Sequence, residues 1–379
     1  MSYTCYSCGK AYAASEGTLE CSCGGYLKTP LRPIRKADII TDESTMWRYR
    51  KALFIEQDSD VVTLGEGMTP LVKTKLGGLL FKADSLLPTG SFKDRGAALV
   101  INHLKQQGIR KVIEDSSGNA AASYAAYCAA AGIECHIFTP ASAAMGKLVQ
   151  TQLYGATITK VPGPRDEVTT AAIEEAKKQA GIAMHAGHNR HPLFIEGCKT
   201  MAYEIWEQLR WSAPDNIVVP FGGGSCLLGL YKGFCELLSV GEISRLPRFL
   251  VVQAHNCNPL YAAFAGKAEE AQCVPTIAEG IALAKPAKKA EALAAVEHTG
   301  GLVIEVTEDE IMEGVKAAAR VGGHYVEPTT GTTVAGALQL QRTGTIKGEE
   351  ETVVILTGNG LKATDKIGQA LGLFDDSQK

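Results

Sequence analysis

From about Val61 onward, short apolar runs alternate with stretches in which apolar residues recur at helical spacing. Runs at 111–115, 134–138, 157–161, 216–220, 249–253, 302–306 and 352–357 predict strands. Between them lie helical patterns such as 166–180, where Val168, Ala172 and Ala176 repeat on one face. Strands separated by helices join as βαβ units, and such crossovers make a sheet mostly parallel. The pattern therefore predicts an α/β chain. No internal repeat or low-complexity segment interrupts it, and the end of the chain after Gly372 reads as a frayed tail.

A length of 379 residues with 45% hydrophobic and 21% charged positions gives ample core for two domains and a small accessory module. The formal net charge of −3 supplies no global positive field, which argues against nucleic acid or an anionic membrane as a partner. The opening MSYTCYSCGK lacks a basic region followed by an apolar run, so no signal peptide is expected. The Ala-rich stretch 119–133 is too short to span a bilayer. Eleven cysteines, an odd count, with seven of them inside α/β segments, point to a reducing cytoplasm.

The first thirty residues differ from the rest, because four of the eleven cysteines sit there, as Cys5-x2-Cys8 and Cys21-x-Cys23. Gly9, Gly24 and Gly25 follow the pairs, and glycine lets a tight turn aim its N–H groups at sulfur. Four thiolates on two turns can surround zinc as a tetrahedron, which gives a small fold something to hold it together. The bland alternative is four free thiols in a tail. The second pair is one residue tighter than the usual spacing.

Four polar, glycine-bearing loops follow strands or open helices, where open parallel sheets bind ligands. Pro88-Thr89-Gly90-Ser91-Phe92-Lys93-Asp94-Arg95-Gly96 leads into an apolar helix over 97–104. Lys93 is a candidate nucleophile towards an aldehyde, although a loop lysine by itself is usually a solvated charge. Gly222, Gly223, Gly224 and Ser225 lie between a strand and a helix, where backbone N–H groups and the helix dipole suit a phosphate. That loop is neither a dinucleotide fingerprint nor a Walker motif. Ser116-Ser117-Gly118-Asn119 suits a carboxylate, with an N-cap as its plain structural reading. Thr357-Gly358-Asn359-Gly360 would present a hydroxyl at the sheet edge, or is merely a turn.

Further stretches join these: Leu64-Gly65-Glu66-Gly67-Met68-Thr69-Pro70-Leu71, Glu196-Gly197-Cys198-Lys199-Thr200, Thr276-Ile277-Ala278-Glu279-Gly280-Ile281 and Glu327-Pro328-Thr329. Together and in this order they resemble the fold-type-II pyridoxal-phosphate family, and within it the threonine synthases. The resemblance implies two doubly wound domains with mostly parallel sheets, preceded by a small zinc-ribbon-like module. It places the module at 1–30, a large cofactor-binding domain at 31–95 with 186–379, and a small α/β domain at 96–185. It implies pyridoxal phosphate as cofactor, structural zinc, a small amino-acid substrate and a homodimer. Lys93 would hold the cofactor as a Schiff base and shuttle protons. Gly222, Gly223, Gly224 and Ser225 would bind its phosphate, Asn119 its ring hydroxyl oxygen, and Thr357 would face its ring nitrogen. A neutral hydroxyl there makes the ring a weaker electron sink than a carboxylate would, favouring elimination and replacement over transamination. Ser91, Ser116, Ser117 and Gly118 would bind substrate.

Several positions depart from the family's pattern. Ala120 stands where threonine is usual, Leu87 and Asn359 replace a common asparagine and histidine, and His188-Asn189-Arg190-His191-Pro192 replaces the phosphate-binding Asn-Ser-x-Asn-Pro. His188, Asn189 and Arg190 are accordingly expected to bind substrate, with His185, His188, His191 and Arg190 forming a cationic wall for its acidic group. A metal site on His185, His188 and His191 is the weaker alternative, and plain hydrogen bonding a third. Three functions fit: conversion of O-phosphohomoserine and water to threonine and phosphate; a cysteate-synthase-like β-replacement or lyase reaction on O-phosphoserine with sulfite; and a non-catalytic pyridoxal-phosphate-binding protein.

Overall fold

The computed structural model describes residues 2–373 apart from 15–16, 57–59, 142, 144 and 164. The chain opens with three short antiparallel strands, β1 (Ser2–Cys5), β2 (Ala11–Ala13) and β3 (Leu27–Lys28). A hairpin of β4 (Leu71–Lys73) and β5 (Leu80–Lys82) follows. Next come α1 (Lys93–Gln106), β6 (Lys111–Glu114), α2 (Asn119–Ala131), β7 (Glu134–Pro140), α3 (Met145–Leu153), β8 (Thr157–Val161), α4 (Arg165–Lys178) and β9 (Ala183–His185). Then follow α5 (Pro192–Cys198), α6 (Thr200–Gln208), β10 (Asn216–Pro220), α7 (Ser225–Ser239), β11 (Arg248–Ala254) and α8 (Pro259–Phe264). The chain continues through α9 (Lys289–His298), β12 (Leu302–Val306), α10 (Glu308–Arg320), α11 (Pro328–Arg342), β13 (Thr352–Ile355) and α12 (Thr364–Ala370).

Two α/β sheets result, as the periodicity predicts. One runs β8-β7-β6-β9, parallel throughout; the other runs β12-β11-β10-β13-β5-β4, parallel except for the β4 edge. All seven strands expected from the pattern are present, three with the expected ends and four with ends shifted by one or two residues. The short β4, β5, β9 and the module strands were not anticipated, because two to four residues carry too little alternation to register. Every residue of β10 is buried, so it reads as a continuous apolar run rather than an alternating one. The Ala-rich α2 is buried from Ala120 to Cys128 and ends on Gly132, whose φ of 68° supplies the left-handed turn.

Contacts group the chain into two compact units: residues up to Met68 with Leu87–Thr200, and Thr69–Leu86 with the chain from Met201. This assigns 31–68, 87–95 and 186–200 differently from the expected division. No helix among the described residues is long and apolar enough to cross a membrane.

Within the first unit α1 crosses α5 with almost no side chain between them. A Cβ on Gly197 would lie 2.0 Å from the Arg95 carbonyl oxygen, and one on Gly96 would lie 2.6 Å from the Phe194 ring. Backbone cannot retreat as a flexible side chain can. Gly197→Ala should therefore cost about 1–3 kcal/mol, the usual penalty of overpacking. Thermal unfolding of the variant should show a clearly lowered midpoint, and an unchanged midpoint would contradict this packing.

Candidate active site

In the first unit β6 and β9 pair in parallel, so their carboxyl ends lie side by side. Ser116-Ser117-Gly118-Asn119 extends from one, and the turn 187–191 from the other. Gly118, not Asn119, is the cap of α2; Asn119 is the first helical residue and Ser116 Oγ accepts the Gly118 N–H at 3.3 Å. α1 begins at Lys93 itself, four residues before the start predicted from the apolar pattern. Asp94, fully buried, explains the early start: its carboxylate reaches back to the Thr89 N–H at 2.7 Å and the Thr89 hydroxyl at 2.6 Å. The loop is thereby cinched onto the helix, and Ser123 of α2 donates to the same carboxylate.

Lys93 Nζ lies 4.4 Å from the Phe92 ring centroid and 5.7 Å from that of Phe194. Two residues earlier, the hydroxyl of Ser91 is buried with no hydrogen-bond partner among the described residues. Sequence reasoning did not single out Phe194 or Asp94. The available signal was small-residue spacing: Gly96 is the position that the Phe194 ring requires.

The 185–191 segment is engaged with other protein groups. His188 donates its backbone N–H to Glu114 Oε2 at 3.0 Å, and its Nδ1 meets Glu114 Oε1 at 2.6 Å. His185 Nε2 lies 2.9 Å from Asp115 Oδ1. His191 caps α5, its Nδ1 accepting the Leu193 N–H at 3.3 Å. Burial, with His103 and His185 nearby, pushes its pKa down to about 3. Arg190, expected to line a substrate pocket, forms an ion pair with Glu20 of the N-terminal module. Asn189 sits half-buried in the same turn. The three histidines form no metal-ligand group among the described residues, and hydrogen bonding accounts for each.

In the second unit β10 and β13 are likewise parallel neighbours. The 222–225 loop follows β10, and Thr357 lies just beyond β13. Gly224 takes the left-handed conformation at φ 90°, and the 15-residue α7 starts at Ser225. A Cβ on Gly222 would lie 2.8 Å from Ile281 Cα, and one on Gly280 would lie 2.6 Å from Thr329 Oγ1. Thr357 is buried, its hydroxyl 3.0 Å from that of Thr330, which also accepts the Gly358 N–H at 3.0 Å. The 276–281 and 327–330 stretches thus back both loops.

In the N-terminal module Cys5 Sγ and Cys23 Sγ are 3.6 Å apart, Cys8 Sγ and Cys21 Sγ 3.5 Å, and all four sulfurs lie within 4.8 Å of one another. Zinc–sulfur bonds of about 2.3 Å in a tetrahedron need sulfurs roughly 3.8 Å apart. A Cβ on Gly25 would sit 2.7 Å from Cys5 Sγ, so glycine is needed for the turn to close on the sulfur. The Cys23 N–H and the Tyr12 hydroxyl both point at Cys21 and lower its pKa to about 6. The donor set fits a zinc ion.

Residues 62–358 match the family described as pyridoxal-phosphate dependent enzyme. The chain is 35% identical to threonine synthase of Methanocaldococcus jannaschii over 96% of its own length and 94% of that protein. It is 33% identical to threonine synthase of Methanosarcina acetivorans, over 94% and 91% respectively. O-ureido-L-serine synthase shares the fold with a TM-score of 0.70 at 19% identity, covering 82% of this chain and 95% of that one. The chain belongs to the pyridoxal-phosphate dependent enzymes of fold type II. Within that family it is a threonine-synthase-like lyase. In each unit the residues present fit a part of the cofactor: in the first, an amine over two aromatic rings and a buried hydroxyl with no partner among the described residues; in the second, a glycine turn at the N-terminus of the 15-residue α7.

His191 gives a pH prediction. Its folded pKa of about 3 lies below the ordinary 6.5, so between these values the unfolded chain holds more proton. Its contribution is complete above about pH 6.5 and is lost as pH falls towards 3. His191→Asn keeps a capping side chain but cannot titrate. Its unfolding midpoint should fall less steeply with acid than the wild type's, and parallel acid limbs would contradict the buried neutral imidazole.

Proposed function

We propose that this enzyme carries out elimination or replacement at Cβ or Cγ of an amino acid, with O-phosphohomoserine and water giving threonine and phosphate as the first candidate reaction. The observation that supports this reading is the buried, neutral hydroxyl of Thr357, held by Thr330; facing the cofactor's ring nitrogen, it makes the ring a weaker electron sink than a carboxylate would. When bound, pyridoxal phosphate draws electrons from the substrate Cα so that its proton can leave. Lys93 Nζ holds the cofactor, then takes and returns that proton. Gly222, Gly223, Gly224 and Ser225 offer N–H groups at the α7 N-terminus to the cofactor phosphate. Asn119 donates to the ring hydroxyl oxygen. Ser116, Ser117 and Gly118, at the start of α2, bind the substrate carboxylate, and the unpartnered Ser91 hydroxyl contributes a further hydrogen bond.

A second reading is favoured by the 185–191 segment. With Arg190 paired to Glu20 and His188 to Glu114, its charged groups are already countered, which suits a less acidic leaving group than a phosphate. On that reading His188 and Asn189 serve as hydrogen-bonding substrate contacts, and Arg190 as their anchor. Turnover of O-phosphohomoserine, O-phosphoserine with sulfite, serine and threonine separates the two. Phosphate release only from the first supports the first reading. Keto-acid formation from the hydroxy amino acids supports the second.

Borohydride should fix the cofactor to the peptide bearing Lys93. Lys93→Ala should lower turnover at least about a hundredfold, the range of a lost general acid/base. Wild-type turnover by that variant would overturn the assignment.

The four-cysteine group is read as a structural zinc site. Elemental analysis of protein purified without chelator should find one zinc per chain, and Cys8→Ser should lose it while keeping the cofactor absorbance. Metal-free wild-type protein would contradict this.

A further inference from the structure

The cysteines outside the N-terminal module are mostly sealed in the core: Cys128, Cys135, Cys198 and Cys226 are all buried. Cys257 and Cys273 differ. Cys257 is buried beneath the surface at 2% exposure, whereas Cys273 is exposed. They are direct cross-strand partners in an antiparallel bridge. The flanking hydrogen bonds, Asn258 N–H to Gln272 O at 3.3 Å and Val274 N–H to Asn256 O at 2.8 Å, make this the non-hydrogen-bonded kind of pair. In such pairs the Cα atoms lie about 4.5 Å apart and the side chains share one face. That spacing falls within the roughly 4.4–6.8 Å that a disulfide spans. Burial, with Cys273 beside it, pushes the Cys257 thiol's pKa up to about 11.

The surroundings hold the bridge in register. Asn258 Oδ1 accepts the Gln272 N–H at 2.7 Å and its Nδ2 donates to Glu305 at 2.6 Å, while Asn256 Nδ2 donates to Pro275 O at 2.8 Å. Beyond Pro275 the chain runs into 276–281, the stretch whose Ile281 leaves no room for a Cβ at Gly222. The Leu283 N–H, two residues further on, donates to Ile281 O at 2.9 Å and fixes the end of that stretch. Val274 and Pro275 are all that separates the exposed thiol from the segment backing the 222–225 loop.

We propose that Cys257 and Cys273 form a reversible disulfide by exchange with a low-molecular-weight disulfide, and that its closure loosens the hold of the 222–225 loop on its ligand. In the first step the Cys273 thiolate attacks one sulfur of the small disulfide, forming a mixed disulfide and releasing one thiolate. Cys257 then loses its proton and attacks the Cys273 sulfur, expelling the second small thiol. Two protein thiols are oxidised and one small disulfide is reduced to two thiols. Closure draws Cys273 towards Cys257 and pulls on the chain that runs through Val274 and Pro275 into 276–281. The second half of the proposal rests on reading 222–225 as the cofactor-phosphate loop.

The test uses the full-length, cofactor-loaded protein equilibrated in oxidised and reduced glutathione, quenched in acid, alkylated and mapped by mass spectrometry. The expected product is a peptide pair joining Cys257 to Cys273, lighter by two hydrogen atoms and released by dithiothreitol. C257S should instead retain glutathione on Cys273. Oxidised protein should bind the cofactor about three- to tenfold more weakly, as a small displacement of the segment beneath the loop would give. Wild-type Cys273 carrying glutathione while Cys257 stays alkylatable would overturn the disulfide. A joined pair with unchanged cofactor affinity would overturn its coupling to the loop. The peptide readout does not depend on the cofactor, so failure of the cofactor reading would be seen separately.

Discussion

The close contact between α1 and α5 is the constraint on which the lysine side of the site depends. Gly197 lets α5 approach the Arg95 carbonyl, and Gly96 lets the Phe194 ring lie flat against α1. With two glycines at the crossing, the helices meet backbone to backbone, and Lys93 on the first turn of α1 has its amine over that ring. On the role proposed for Lys93, a fixed amine matters because covalent catalysis gains most when the nucleophile is already positioned. Asp94 completes the arrangement by tying the preceding loop to the helix from within, so that Lys93 is held on both sides.

The same economy appears at the strand ends. Each sheet presents its loops from two adjacent parallel strands, β6 with β9 and β10 with β13. Parallel pairing brings carboxyl ends together without any direct contact between the loops themselves. Glycines then set how closely the backing segments press: Gly222 against Ile281, and Gly280 against Thr329. Sensitivity of the second unit's loops to the 256–283 region follows from this packing, since a chain with no space beneath it moves when its support moves.

Charge compensation shapes the substrate end. The turn 187–191 looks cationic in sequence, yet each of its ionisable groups is engaged within the protein: His188 with Glu114, Arg190 with Glu20, and His191 buried as a neutral cap. Glu114 is fully buried, and a buried carboxylate needs a partner. The ion pair from Arg190 also joins the N-terminal module to this turn, so the module is its structural neighbour rather than a separate appendage.

Much of this protein was legible in its sequence. Burial on both faces makes parallel strands read as apolar runs, so the α/β class and the long strands followed from periodicity. The order of glycine loops pointed to the cofactor, and the two cysteine pairs to a metal-sized cluster, because these are local features of backbone conformation and spacing. What periodicity left dark was the start of α1, which Asp94 sets by reaching back to Thr89, and the short strands β4, β5 and β9, which exist only because neighbours hydrogen-bond to them. The partners of Arg190 and His188 lie 170 and 74 residues away in the chain. Only folding brings such groups together, and with them it decides whether a charge faces a ligand or another residue of the same protein.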